Sequence, residues 1–281
     1  MNVLGLGAGI GGVELGLSVV EDVEPVAFVE GNAFCQSVLR RRWPGVRIID
    51  DVASVDGAEF RGVDIITAGF PCQPWSAAGK QGKTQDSRWL WPIIADIVRD
   101  AMPRYVFLEN VPGLLGGGIQ EVCKDLAAMG FDAEWGVFSC RALGAPHLRR
   151  RLFLLAYSKK DSEWYGQAGI RDDDSSTPGG GKDMANANAN GEGLAQRQEQ
   201  HHEQRQAVER SGLPFWPYSP DSDWSEVAAQ WWPAEFPVCG MADGFPRSLE
   251  PDRRARLQAL GNAVSPPVAA CAWRVLKARI R

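Results

Sequence analysis

No two of the six cysteines form a CxxC pair; they stand at Cys35, Cys72, Cys123, Cys140, Cys239 and Cys271. That spacing excludes a zinc knuckle and a redox dithiol, and no metal site is expected. Apolar runs of the roughly 18–20 residues that span a bilayer are missing too, so no membrane segment is expected. Met1–Leu6 lacks the basic n-region of a secretory signal and runs straight into an apparent strand. A cytoplasmic protein is expected, with most thiols acting as small buried apolar groups. A basic excess is also lacking, the formal net charge being −5. Nucleic-acid binders usually carry a basic footprint, but here the charge is uneven. Arg40-Arg41-Arg42, Arg149-Arg150-Arg151 and Arg253-Arg254 are basic clusters, while Asp172-Asp173-Asp174 is acidic. Net charge governs steering and solubility rather than a local groove, so a nucleic-acid partner is not excluded. Finally, no internal repeat of about 20–50 residues is present, which removes solenoids and propellers.

What is present is a chain of 281 residues, 44% hydrophobic and 23% charged, enough for one large domain or a large one carrying a small one. Residues 1–157 alternate short apolar runs with helix-like stretches, the pattern of an α/β domain with a mostly parallel sheet. Val3–Leu6, Val26–Glu30, Asp64–Ala68, Tyr105–Glu109, Phe131–Phe138 and Arg151–Tyr157 read as strands. Helices are expected after Gly12, around Val38 and Leu39, through Trp91–Val98 and around Val122–Met129. Residues 158–212 are rich in Gly, Asn, Gln, Asp, Ser and Arg, with a low-complexity run from Ala185 to Gly193, and read as largely loop or disorder. From Leu213 to Phe245 the chain turns aromatic and proline-rich. Asp252–Leu276 looks helical on both sides of a Gly261-Asn262 break, and Pro266-Pro267 suits a helix start.

Three motifs carry chemistry. Leu6-Gly7-Ala8-Gly9-Ile10-Gly11-Gly12 follows strand one and opens a helix. It is either a tight turn or a loop that lets a ligand approach the backbone beside a helix N-terminus. Glu30, ending strand two, is placed to accept from ribose hydroxyls, so the pair suits S-adenosylmethionine and NAD equally. Gly69-Phe70-Pro71-Cys72-Gln73-Pro74-Trp75-Ser76 lies at the carboxyl end of a strand, where open α/β sheets hold ligands. It presents a thiol between prolines. Glu109-Asn110-Val111 ends the next strand, and Arg149 and Arg151 begin a later one. A thiol, an acid and an arginine on one cleft suit attack on an electron-poor heterocycle with protonation of its ring.

Taken in order, these motifs resemble the DNA cytosine-C5 methyltransferase family through nearly the whole chain except residues 158–240. Ala8–Gly12 resembles its cofactor loop, Val29-Glu30 its second motif, and Asp51-Val52 the pair that meets adenine. Gly69–Ser76 with Gly79-Lys80 and Asp86-Ser87-Arg88 resembles the nucleophile loop and its hinge. Glu109-Asn110-Val111, Arg149-Arg150-Arg151, Arg256-Leu257-Gln258 and Leu260–Val264 complete the set. The resemblance implies a Rossmann-like, mostly parallel α/β methyltransferase domain with a small irregular target-recognition region. Residues 1–157 would be the S-adenosylmethionine-binding catalytic domain, 158–250 the recognition region and 251–281 C-terminal helices completing the catalytic domain. It implies S-adenosyl-L-methionine held by Ala8, Gly9, Ile10, Gly11, Gly12, Glu30, Asp51, Val52, Pro71, Asn262 and Ala263. Cys72, Glu109, Arg149 and Arg151 would act on a cytosine of double-stranded DNA, in a monomer. Such enzymes often accompany a restriction endonuclease. Gly7 stands where the family carries an aromatic side chain, and restoring Phe there is expected to tighten donor binding if the pocket can still accept it.

Amino-methyltransferases need a polar-Pro-Pro-aromatic loop, and Ser265-Pro266-Pro267-Val268 lacks the aromatic. An NAD oxidoreductase leaves Cys72, Glu109 and Arg151 unexplained. A tRNA cytosine methyltransferase with the same catalytic set, and a catalytically silent DNA-binding relative, stay open. One expectation follows from composition alone. Residues 172–210 cannot bury enough apolar surface to offset their ordering entropy. Replacing them by a short Gly-Ser linker should preserve both methylation and target choice. Bisulfite sequencing of plasmid from expressing cells checks this; a soluble variant that methylates nothing, or another site, refutes it.

Overall fold

The structure, a computed structural model, describes residues 1–71, 89–143, 145, 147–158 and 253–280. Cys72 and nearly all of the expected recognition region, residues 159–250, lie outside the described residues. Seven strands form one sheet in the order β3-β2-β1-β4-β5-β7-β6. They are β1 (Asn2–Leu6), β2 (Glu24–Val29), β3 (Arg47–Ile49), β4 (Ile65–Gly69), β5 (Tyr105–Asn110), β6 (Phe131–Ser139) and β7 (Arg150–Ser158). The first five are parallel, and β7 runs antiparallel to both β5 and β6. This is the mostly parallel α/β sheet that the alternation of apolar runs predicts.

The strands read as continuous apolar runs because both faces are covered. On one face Leu4, Leu6, Ile66, Val106 and Leu108 pack with α3 (Trp91–Ala101) and α4 (Gly118–Ala128). On the other, Val3, Ile65, Phe107, Phe153 and Leu155 pack with α1 (Gly12–Val20) and the last helix. The remaining helices are α2 (Ala33–Arg42), α5 (Arg253–Asn262) and α6 (Pro266–Lys277). Asn32 caps α2, its Oδ1 accepting from the Phe34 and Cys35 N–H groups, and Arg40–Arg42 end it where the helix dipole favours cations.

Two features differ from the sequence reading. Strand β3 was not expected: three residues at a sheet edge, none fully buried, carry no periodicity to detect. Strand β2 begins at Glu24 rather than Val26 and includes Pro25. Pro25 is tolerated because β3 pairs only with Ala27–Val29, and the register with β1 shifts between Val3 and Leu4. No helix among the described residues is long and apolar enough to cross a membrane.

Helix α6 lies directly on α1. A Cβ on Gly16 would sit 2.5 Å from the Pro266 carbonyl oxygen and 2.8 Å from the Ala269 Cβ. On an exposed helix Gly→Ala gains about 1 kcal/mol. Gly16→Ala should instead lose about 1–3 kcal/mol, because the backbone of α6 must move. Urea unfolding measures this; equal or greater stability would mean that the two helices do not depend on this close approach.

Candidate active site

The carboxyl ends of β1, β2, β4 and β5 open onto a cleft of about 620 Å³, within the ~300–1,000 Å³ usual for small-molecule sites. The glycine loop forms one wall. The Gly7 and Ala8 N–H groups both donate to the Val29 carbonyl, which turns the chain across the end of β2. Gly9 N–H then donates to Glu30 Oε2 at 2.7 Å, and Asn32 N–H to Oε1 at 2.8 Å. Glu30 thereby fixes the loop with both oxygens, and each retains a lone pair for a ligand. Ala8, Gly9 and Glu30 line the cleft. Ile10, Gly11 and Gly12 do not: Ile10 is buried with Cys35, Val38 and Ala259. Gly11 lies against the Trp43 ring and Gly12 against the Val264 carbonyl. Their smallness serves packing of α2 and of the chain between α5 and α6.

Across the cleft, Asp51 Oδ1 accepts from Ala53 N–H at 2.9 Å and caps a single turn over Val52–Ser54. Asp50, Asp51 and Val52 line the cleft with the apolar Leu90 and Ile94, while Gln258, Asn262 and Ala263 close another side. Paired acids beside an apolar slot, with a glycine backbone facing them, fit a nucleoside with an extended polar arm. Gly7 corrects one expectation. Its φ is +61°, and a Cβ there would meet the Gly69 carbonyl oxygen at 2.4 Å. A phenylalanine at this position cannot improve ligand contact without shifting the ends of both β1 and β4.

The expected chemical groups are distributed as follows. Glu109 pairs with Gly69 across β4–β5, and Arg151 Nε meets Glu109 Oε1 at 2.9 Å; both residues line the cleft. Burial raises the Glu109 pKa from 4.5 to about 7, outweighing the pull of Arg151 and Arg149 in the opposite direction. Arg149 does not line the cleft. Its guanidinium donates to the Gly261 carbonyl at 2.9 Å and to the Ala263 carbonyl, so it holds the segment carrying Asn262 in place. Asn110 Nδ2 donates to the Phe70 carbonyl at 3.3 Å, tying β5 to the residue before Pro71. The Phe70 ring packs edge-on against Trp89 at 5.6 Å. The two ends of the segment that contains Cys72 therefore meet, although Cys72 itself lies outside the described residues. Sequence reasoning missed Glu14, Asn32, Asp50 and Thr67, all of which line the cleft, as does Gln258 of the Arg256-Leu257-Gln258 motif. Only Glu14 left a signal: it is an acid three residues before the fully buried Leu17, on the face of α1 that should be apolar. Among the described residues no group of three or more His, Cys, Asp or Glu could hold a metal ion.

The chain matches the model of the C-5 cytosine-specific DNA methylase family over residues 1–215. Type II methyltransferase M.CviJI of Paramecium bursaria Chlorella virus IL3A is 35% identical over 161 residues, 56% of this chain and 43% of that one. Type II methyltransferase M2.BsuMI of Bacillus subtilis (strain 168) is 32% identical over 165 residues, 56% of this chain and 42% of that one. The chain thus spans under half the length of these relatives. In fold alone, the methyltransferase EhMeth of Entamoeba histolytica aligns with a TM-score of 0.61 at 13% identity, covering 100% of this chain and 99% of that one.

Glu109 offers a test that needs no turnover. Its pKa rises on folding from 4.5 to about 7, so the stabilising contribution is full below about pH 4.5. As pH climbs toward 7 the unfolded chain ionises and the folded one does not, and stability is lost, reaching about 3 kcal/mol. Glu109→Gln cannot ionise. Relative to the native protein it should gain about that amount between pH 4.5 and pH 8 in urea unfolding. A difference that stays constant with pH would mean that Glu109 titrates as an ordinary carboxylate.

Proposed function

The chain belongs to the C-5 cytosine-specific DNA methylase family, and from this we propose that it transfers a methyl group from S-adenosylmethionine to C5 of a cytosine in double-stranded DNA. The observation that carries the proposal is the Glu109–Arg151 pair at 2.9 Å, set in a cleft also lined by Pro71, the residue that precedes Cys72. When bound, the donor supplies an electrophilic methyl group on sulfur. Ala8, Gly9, Glu30, Asp51, Val52, Asn262 and Ala263, which line the cleft, would hold it.

The chain's own task is to make C5 of cytosine reactive. Inside the aromatic ring C5 is a poor nucleophile. Addition of the Cys72 thiolate to C6 forms an S–C bond and moves the ring electrons toward C5. Glu109 delivers a proton to N3 and holds the exocyclic amine. A carboxyl with a pKa of about 7 is still partly protonated at neutral pH, which suits that step. Arg151 binds O2 and, as a cation nearby, favours the thiolate. After C5 is alkylated, its proton is lost to water, the C6–S bond breaks to restore the ring, N3 returns its proton to Glu109 and Cys72 departs as thiolate. A stacked base cannot reach such a cleft, so the cytosine must be flipped out of the duplex. Arg149 serves this site by anchoring the Gly261–Ala263 segment. Target choice falls to the 158–250 region, and within it to residues 213–250.

Duplex DNA carrying 5-fluorocytosine at the target should form an adduct that survives denaturing electrophoresis, since fluorine cannot leave as the C5 proton does. Cys72→Ser should form none and lose methylation, and Glu109→Gln should lose about 10²–10⁴-fold in rate. No adduct with the native protein, or an equal one with Cys72→Ser, sinks the reading. Methyl transfer to tRNA and not to DNA would move the assignment to an RNA substrate.

A further inference from the structure

The cleft contains an acid for which the mechanism has no use. Glu14, in the first turn of α1, is 2% exposed and lines the cleft. Its Oε1 accepts from the Thr67 hydroxyl at 2.5 Å, while Oε2 is buried with no hydrogen-bond partner among the described residues. Gly5 makes the space: a Cβ there would fall 2.8 Å from Glu14 Oε1. Glu30 has two N–H donors and Glu109 has Arg151. No cationic side chain among the described residues is a source of the Glu14 pKa shift, which burial drives upward.

A buried carboxylate with one hydrogen bond and no counter-charge costs several kcal/mol unless something else neutralises it. Burial holds Glu14 toward its protonated form, and a ligand cation placed beside it would favour the carboxylate. The donor assigned above carries two cations, a sulfonium and, at the end of its amino-acid arm, an α-ammonium. The sulfonium would have to face the base that Glu109 receives, and Glu109 pairs with Gly69 across the strands. Thr67, the partner of Glu14, lies two residues earlier on β4, roughly 7 Å deeper along the strand. Of the two cations, the ammonium is the one whose arm can reach that depth.

We propose that Glu14 is the counter-charge for the α-ammonium group of the donor, and that it makes the cleft prefer a nucleoside with an amino-acid arm over one without the amine. This rests on the methyl-donor reading of the cleft. Calorimetric titration of the full chain with S-adenosylhomocysteine, its des-amino analogue and S-adenosylmethionine tests it. The native protein should bind S-adenosylhomocysteine about 10- to 100-fold more tightly than the des-amino analogue, the range expected of a hydrogen bond to a charged group. Glu14→Gln, which keeps the shape, should lose that preference while binding the des-amino analogue within about twofold of native. A variant that retains the full preference overturns the proposal. So does a native protein that shows no preference, a result that needs no variant to fold. A loss for S-adenosylmethionine without one for S-adenosylhomocysteine would assign Glu14 to the sulfonium and also overturn it. If the native protein binds none of the three, the donor reading itself fails.

Discussion

Docking of helix α6 on α1 is the constraint from which the cleft takes its form. Trp273 is fully buried, its ring edge-on to Tyr105 and Phe107, and its Nε1 donates to Glu21 Oε1 at 2.7 Å. Burying one such ring contributes roughly 4–6 kcal/mol as an upper estimate, and Lys277 meets the same Glu21 carboxylate at 2.5 Å. The anchored helix begins at Pro266, only a few residues after the Asn262–Val264 stretch that lines the cleft. Gly12 and Gly16 let the two backbones touch. Without that approach the last wall of the cleft would stand away from the glycine loop. Arg149 then fixes this wall from the other side, through carbonyls more than a hundred residues away in sequence.

Three glutamates line the same cleft and differ only in their surroundings. Glu30, at the rim, is satisfied by two backbone donors and works as a clamp on the glycine loop. Glu109 is buried against Arg151, and burial wins, so it holds its proton to about pH 7. Glu14 is buried, and among the described residues its side chain bonds only the Thr67 hydroxyl. The same functional group is thereby placed in three environments by desolvation, hydrogen bonding and charge, which are separable causes. The strand ends explain why Glu30 and Glu109 converge, since parallel strands present their carboxyl termini to one edge of the sheet, while Glu14 enters from the first turn of α1.

The strands of the sheet interior were legible because burial on both faces forces uninterrupted apolar runs, as in Val3–Leu6 and Tyr105–Leu108. Edge strand β3 was not, since three half-exposed residues carry no such demand. Glu30, Glu109 and Arg151 could be placed from sequence because each sits where a strand begins or ends. Ile10, Gly11 and Gly12 share a motif with Ala8 and Gly9, yet they point into helix packing instead of the cleft. A motif fixes residue types along the chain and cannot say which members of it face a ligand.

The sequence by itself determined the α/β class, the order of the chemical groups along the chain and the strand ends that would carry them, because propensity and burial periodicity act over a few residues. Only the tertiary structure decided what each group meets. Gly7 has no room for a side chain because the β4 backbone lies against it. Arg149 grips a segment that follows it by more than a hundred residues. Glu14 has one oxygen without a hydrogen-bond partner among the described residues, where Gly5 and Thr67, on different strands, close around it. Each of these depends on packing between elements distant in sequence, and packing of that kind leaves no local mark on the chain.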